Sequence, residues 1–77
     1  MISIDKADDF MSLSIKIKSL RNDLKLSQEK LAKKAKISRS ELHKIEKGKA
    51  NPTVFTIYQI AKALNLNLSE LLKKADI

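Results

Sequence analysis

Cysteine is missing from the sequence altogether. No disulfide can staple the fold, and no thiolate can hold a metal. The one histidine, His43, has no second His or Cys with which to complete a metal site, so neither metal nor cofactor is expected. The one glycine, Gly48, excludes a glycine-rich phosphate loop. The apolar runs are far too short to cross a bilayer. Residues 1–10 lack the basic start and apolar stretch of a secretory signal. No nucleophile–acid arrangement surrounds His43, and the serines mostly occupy helix-capping positions, so catalysis is not expected. Internal repeats and low-complexity linkers are absent too.

What is present is positive charge, and it is unevenly placed. The 77 residues carry a net +7. Residues 16–49 hold twelve Lys and Arg against four Asp and Glu, a net of +8. Residues 1–15 carry −2, and residues 50–77 carry +1. A lysine-rich surface serving solubility alone would show no such segregation; a phosphate-facing surface requires it. The length makes one domain, burying only ~60–65% of its unfolded surface.

Helical periodicity dominates the chain. Phe10, Leu13, Ile17, Leu20 and Leu24 step by three and four, which predicts one face of a first helix. Asp8 and Asp9 suit its positive end. Upstream, Ile2 and Ile4 alternate with polar residues, compatible with an arm, a short strand or disorder. Residues 1–11 are therefore read as an arm or helix extension, and 12–77 as the domain. Pro52 blocks helix continuation, and Thr53 caps a fourth helix whose apolar face is Val54, Ile57, Ile60, Ala61 and Leu64. Asn65 suits a left-handed stop. Leu66 and Leu68 are expected in the next loop, with Ser69 capping a last helix that returns Leu71 and Leu72 to the core.

Between them lies Ser27 to Gly48, SQEKLAKKAKISRSELHKIEKG. Ser27 is a candidate N-cap, followed by Leu31, Ala32 and Ala35 on one helical face. Ile37 is an apolar plug in a turn. Ser38 with Glu41 reads as a capping box, and Leu42 and Ile45 are the apolar positions of the second helix. Gly48 suits its left-handed close. Arg39, Ser40, His43, Lys44 and Lys47 are left facing outward. A helical hairpin with a merely solvated basic face is the plain alternative. Capping, spacing and the basic outer face agree instead on a helix-turn-helix motif.

The pieces IKSLR (Ile17 to Arg21), LSQEKLA (Leu26 to Ala32), ISRSELHKIEKG (Ile37 to Gly48), NPT (Asn51 to Thr53) and IAKALNLNLSELL (Ile60 to Leu72), in this order, resemble the Cro/C1-type, or Xre-like, helix-turn-helix family of phage and bacterial repressors. The resemblance implies an all-α, compact five-helix bundle like that of lambda repressor, binding double-stranded operator DNA as a homodimer in a bacterial or phage-derived cytoplasmic setting. It implies a phosphate contact for Gln28, and an ion pair between Arg21 and Glu46 bridging helix 1 to the recognition helix. It departs from the family at Lys25 and Lys36, where glycine is usual.

On that reading the first turn of the recognition helix reaches deepest into the major groove. Arg39 is the leading base reader, since its fork can donate twice to guanine. Ser40, His43 and Lys44 share its outward side. Ser27, Gln28, Lys47, Lys49, Asn51 and Thr53 are expected to hold phosphates, which positions the protein without reading sequence. Apolar residues beyond the needs of one core, Phe55, Leu66, Leu68 and Leu71, are the expected dimer surface.

The function expected is a transcriptional regulator, most simply a repressor, that occupies a promoter and blocks or contacts RNA polymerase. Two alternatives share the fold: an antitoxin that also binds a toxin protein, and a restriction–modification controller. A protein-interaction adaptor is the alternative of another class, and the charge segregation argues against it. No membrane partner is expected.

Overall fold

The computed structural model describes residues 7–77, without the side chains of Ala7 and Asp8; the reading of Ile2 and Ile4 lies outside the described residues. Among those residues there are five helices and no strand: α1 Ala7–Asp23, α2 Gln28–Ala35, α3 Arg39–Glu46, α4 Val54–Ala63 and α5 Leu68–Lys74. The first helix thus starts within the segment set apart as 1–11.

Side-chain caps start four of them. Ser27, Ser38 and Thr53 each sit in extended backbone and accept from the NH three residues on. Each such cap is worth ~0.5–2 kcal/mol. The box at Ser38 closes in one direction, with Oγ accepting from Glu41 N at 3.0 Å. The full two-way box belongs to α5. There Asn67 Oδ1 accepts from Glu70 N at 2.7 Å, and Glu70 Oε1 accepts from Asn67 N at 2.9 Å. Asn67, not Ser69, is therefore the cap, and Leu68 is the first residue of α5 rather than part of the loop.

All five helices end alike. Lys25, Lys36, Gly48, Asn65 and Asp76 have φ between 57° and 70°. At each, the next residue's NH reaches back five positions to a carbonyl of the last turn, at 2.8–3.1 Å. This double-bonded stop usually brings an apolar residue down beside the helix end. Leu26, Ile37, Leu66 and Ile77 do that, each half-buried against the core. The stop after α3 differs. Its corresponding residue is Lys49, which is exposed. One helix end is thus left polar and outward, and it is the end of α3.

The core joins all five helices through Leu13, Ile17, Leu31, Leu42, Ile45, Ile57, Ile60 and Leu71, each fully buried. α2 packs on both α3 and α4, α1 on α3, and α5 on α4. Small residues let α2 approach its neighbours: Ala32 and Ala35 are buried at the crossing. Two expected apolar positions and one dimer-surface residue are corrected. Leu24 is 46% exposed because α1 stops at Asp23 and the chain turns at Lys25. Val54 is 57% exposed at the first position of α4, outside its buried face. Leu71 is part of the protomer's own core at 0% exposure, so it offers no free dimer surface. One buried polar group was not foreseen: Ser14, which donates from Oγ to Phe10 O at 2.9 Å within α1.

Candidate nucleic-acid interface

α3 shows its sides clearly. Leu42 and Ile45 point into the core, while Arg39, Ser40, His43 and Lys44 are exposed, as is Lys47 at its C-terminal cap. Gln28, Arg39, Ser40 and His43 line one shallow concavity, which joins the first residue of α2 to the first turn and a half of α3. The structure therefore brings three of the four proposed base readers together with a proposed phosphate anchor. Lys44 lies outside that concavity.

The orientation of α3 is set from α1. Arg21 Nε donates to Glu46 Oε2 at 2.8 Å and Nη2 donates to Glu46 Oε1 at 3.1 Å. Arg21 Nη1 donates to Leu26 O at 2.8 Å, which ties the α1–α2 loop into the same fork. Three donors of one guanidinium thus engage a carboxylate and a carbonyl, geometry that lysine cannot reproduce.

Gln28 extends the fork. Its Nε2 donates to Glu46 Oε1 at 3.0 Å, and its Oε1 lies 3.4 Å from His43 Nδ1. The family resemblance implies only an anchoring role for Gln28. Its inward role joins residues 15 and 18 positions apart, and no local pattern signals that.

The remaining anchor candidates lie on loops and helix starts. Ser27, Lys49, Asn51 and Thr53 are exposed. Ser27 Oγ accepts from Lys30 N at 3.1 Å, so its hydroxyl hydrogen stays free to donate outward. Thr53 Oγ1 accepts from Thr56 N at 3.1 Å and also meets Thr56 Oγ1 at 3.0 Å.

Of the dimer candidates, Phe55 is 65% exposed and stacks against Tyr58, itself 42% exposed, with ring centroids 6.2 Å apart. Leu66 and Leu68 are half-buried against the core. Among the described residues no group of three His, Cys, Asp or Glu could hold a metal ion, and no helix is long and apolar enough to cross a membrane.

The helix-turn-helix family model matches residues 17–71, well over half of the chain. The chain belongs to the helix-turn-helix family. It is a DNA-binding transcriptional regulator of the Cro/C1, or Xre-like, type. An immunity repressor protein of Bacillus phage phi105 is 39% identical over 61 residues, 79% of this chain and 42% of the repressor. The chain thus spans under half the length of that relative. The control protein C.SmaI of Serratia marcescens is 36% identical over 65 residues, 84% of this chain and 77% of C.SmaI. Among solved structures, the restriction-modification controller protein C.AhdI from Aeromonas hydrophila superposes with a TM-score of 0.78 at 32% identity. That match covers 82% of this chain and 96% of C.AhdI. The five-helix expectation and the family assignment from the sequence both hold.

Proposed function

We propose that this helix-turn-helix regulator binds a two-fold operator as a homodimer and acts chiefly as a repressor by occupying a promoter. The supporting observation is the braced recognition helix: α3 presents Arg39, Ser40, His43 and Lys44 outward while Arg21 clamps its far end. Arg39, Ser40, His43 and Lys44 read bases. Ser27, Gln28, Lys47, Lys49, Asn51 and Thr53 hold phosphates on either side. RNA polymerase is blocked, or contacted, by the bound dimer.

Size supports the dimer. The protomer's longest extent is 29 Å. Successive major grooves on one face of DNA are about 34–36 Å apart, so one protomer carrying one α3 cannot fill both. A second copy docked through Phe55, Leu66 and Leu68 would supply the other helix. Tyr58 and Val54 add exposed apolar area next to Phe55.

A restriction–modification controller is the second reading, favoured by the likeness to C.SmaI and C.AhdI. Selection of bound sequences from a random DNA pool tests the main proposal. A pseudo-palindrome with half-sites one helical turn apart is expected. Absence of any enriched sequence would defeat it. Genes for a methyltransferase and an endonuclease beside this one would favour the controller role over general repression.

A further inference from the structure

The hydrogen-bond chain that ends at His43 fixes more than the angle of α3. Glu46, paired with Arg21, can only accept: Oε2 takes Arg21 Nε, and Oε1 takes Arg21 Nη2 and Gln28 Nε2. The nitrogen of the Gln28 amide must therefore face Glu46, and its oxygen must face away. That oxygen stands 3.4 Å from His43 Nδ1. An amide oxygen only accepts, so a hydrogen bond across this gap requires the hydrogen on Nδ1. A neutral imidazole bears one N–H, which leaves Nε2 as a bare acceptor. His43 is exposed and shares the concavity of Arg39 and Ser40.

We propose that Gln28 holds neutral His43 as the Nδ1–H tautomer, so that His43 Nε2 reads an amino group on a base edge. In the major groove only cytosine N4 and adenine N6 present such a donor; guanine and thymine present acceptors there. Arg39 and His43 then read opposite chemistry within one concavity: Arg39 donates to a base and His43 accepts from one. Gln28 is the positioning residue. It acts through the ring of His43, and an unconstrained imidazole in water prefers the other tautomer, with Nε2–H. The inference rests on the base-reading role proposed for α3.

The test is direct because His43 is the only histidine in the chain. Two-bond ¹⁵N–¹H correlation on the 77-residue chain at alkaline pH distinguishes the two tautomers. Nδ1–H is expected in the wild type, with a shift toward Nε2–H in Gln28→Leu. Selection from a random DNA pool is then run with the wild type and with His43→Lys, whose side chain only donates. One position in each half-site should favour C or A with the wild type. The variant should turn that preference toward G or T by roughly tenfold, or ~1.4 kcal/mol. Nε2–H in the wild type, a tautomer indifferent to Gln28→Leu, or a base preference unmoved by His43→Lys each overturns the inference while leaving α3 a base reader. A wild-type selection that enriches nothing overturns the base-reading role of α3 itself.

Discussion

Arg21 in α1 and Glu46 at the end of α3 form a bidentate pair with side chains only 11% and 1% exposed. The two partners are unequal. Without Glu46, Arg21 keeps its bond to Leu26 O and some access to water. Without Arg21, Glu46 is left with Gln28 alone in a nearly dry site. Arg21→Ala should therefore destabilise more than Glu46→Ala, approaching ~3–5 kcal/mol. The double variant should cost clearly less than the sum. Urea unfolding of the four proteins in the cycle measures this; equal single costs that add would remove the clamp from the account of α3.

The helix stops give a second prediction. Lys36 is held at φ 61° and Gly48 at φ 70°. Left-handed backbone costs a residue with a Cβ ~1–2 kcal/mol, whereas a new glycine loosens the unfolded chain by ~0.4–1 kcal/mol. Lys36→Gly should therefore stabilise slightly, and Gly48→Ala should destabilise by the same difference, on the order of 1 kcal/mol. A Cβ on Gly48 would stand 2.5 Å from Met11 Sδ, but Met11 is 46% exposed and can swing aside. Trimming Met11 should then recover little of the loss. Full recovery in Met11→Ala/Gly48→Ala would show a steric cause instead of a backbone one.

These stops also show what was legible in the sequence. The apolar steps of Ile17, Leu31, Leu42 and Ile57 mark buried faces directly, and Ser or Thr before an apolar run marks a start. The same local signals misplaced Leu24 and Val54, because a face continues only while the helix does. Ser69, shortly before two leucines, has the local signal of a cap; Asn67 wins by closing a reciprocal pair with Glu70. The outward residues of α3 could be read from its inward ones. The Arg21–Glu46 pair came only through the family resemblance, and its continuation through Gln28 to His43 could not be read at all. The whole path crosses three helices, and only tertiary packing makes it.

Dimerisation yields a third prediction. Phe55 is exposed and Leu71 is not, so their variants should fail differently. Phe55→Glu should stay folded, sediment as a monomer and lose operator affinity steeply. Leu71→Ala should instead lower stability by ~2–5 kcal/mol through a core cavity. Sedimentation beside thermal melts separates the two. A Phe55→Glu protein that remains dimeric would move the interface elsewhere.

Lys49 is the one residue following a helix stop that is not apolar. If it holds a phosphate, Lys49→Ala should weaken binding to all DNA sequences alike. It should also lower the salt slope of log K by ~0.9 per protomer. A changed sequence preference with an unchanged slope would reassign Lys49 to base reading.

Arg39 carries the most specific prediction. It is the first residue of α3 and is exposed. A helix inserted by its N-terminus brings this side chain to base edges before any other long one. Only guanine offers its fork two acceptors, so Arg39 should read a G·C pair in each half-site. Arg39→Ala should cost ~1–3 kcal/mol per half-site on the operator and little on random DNA. Arg39→Lys keeps the charge but loses the planar fork, so specificity should relax more than affinity falls. Both variants are to be titrated on the operator and on the same operator with that pair inverted. Equal weakening of Arg39→Ala on the two DNAs would make Arg39 a phosphate contact. The leading base-reading role would then pass to Lys44, which stands one turn beyond Ser40 and outside the concavity that Arg39 shares with His43.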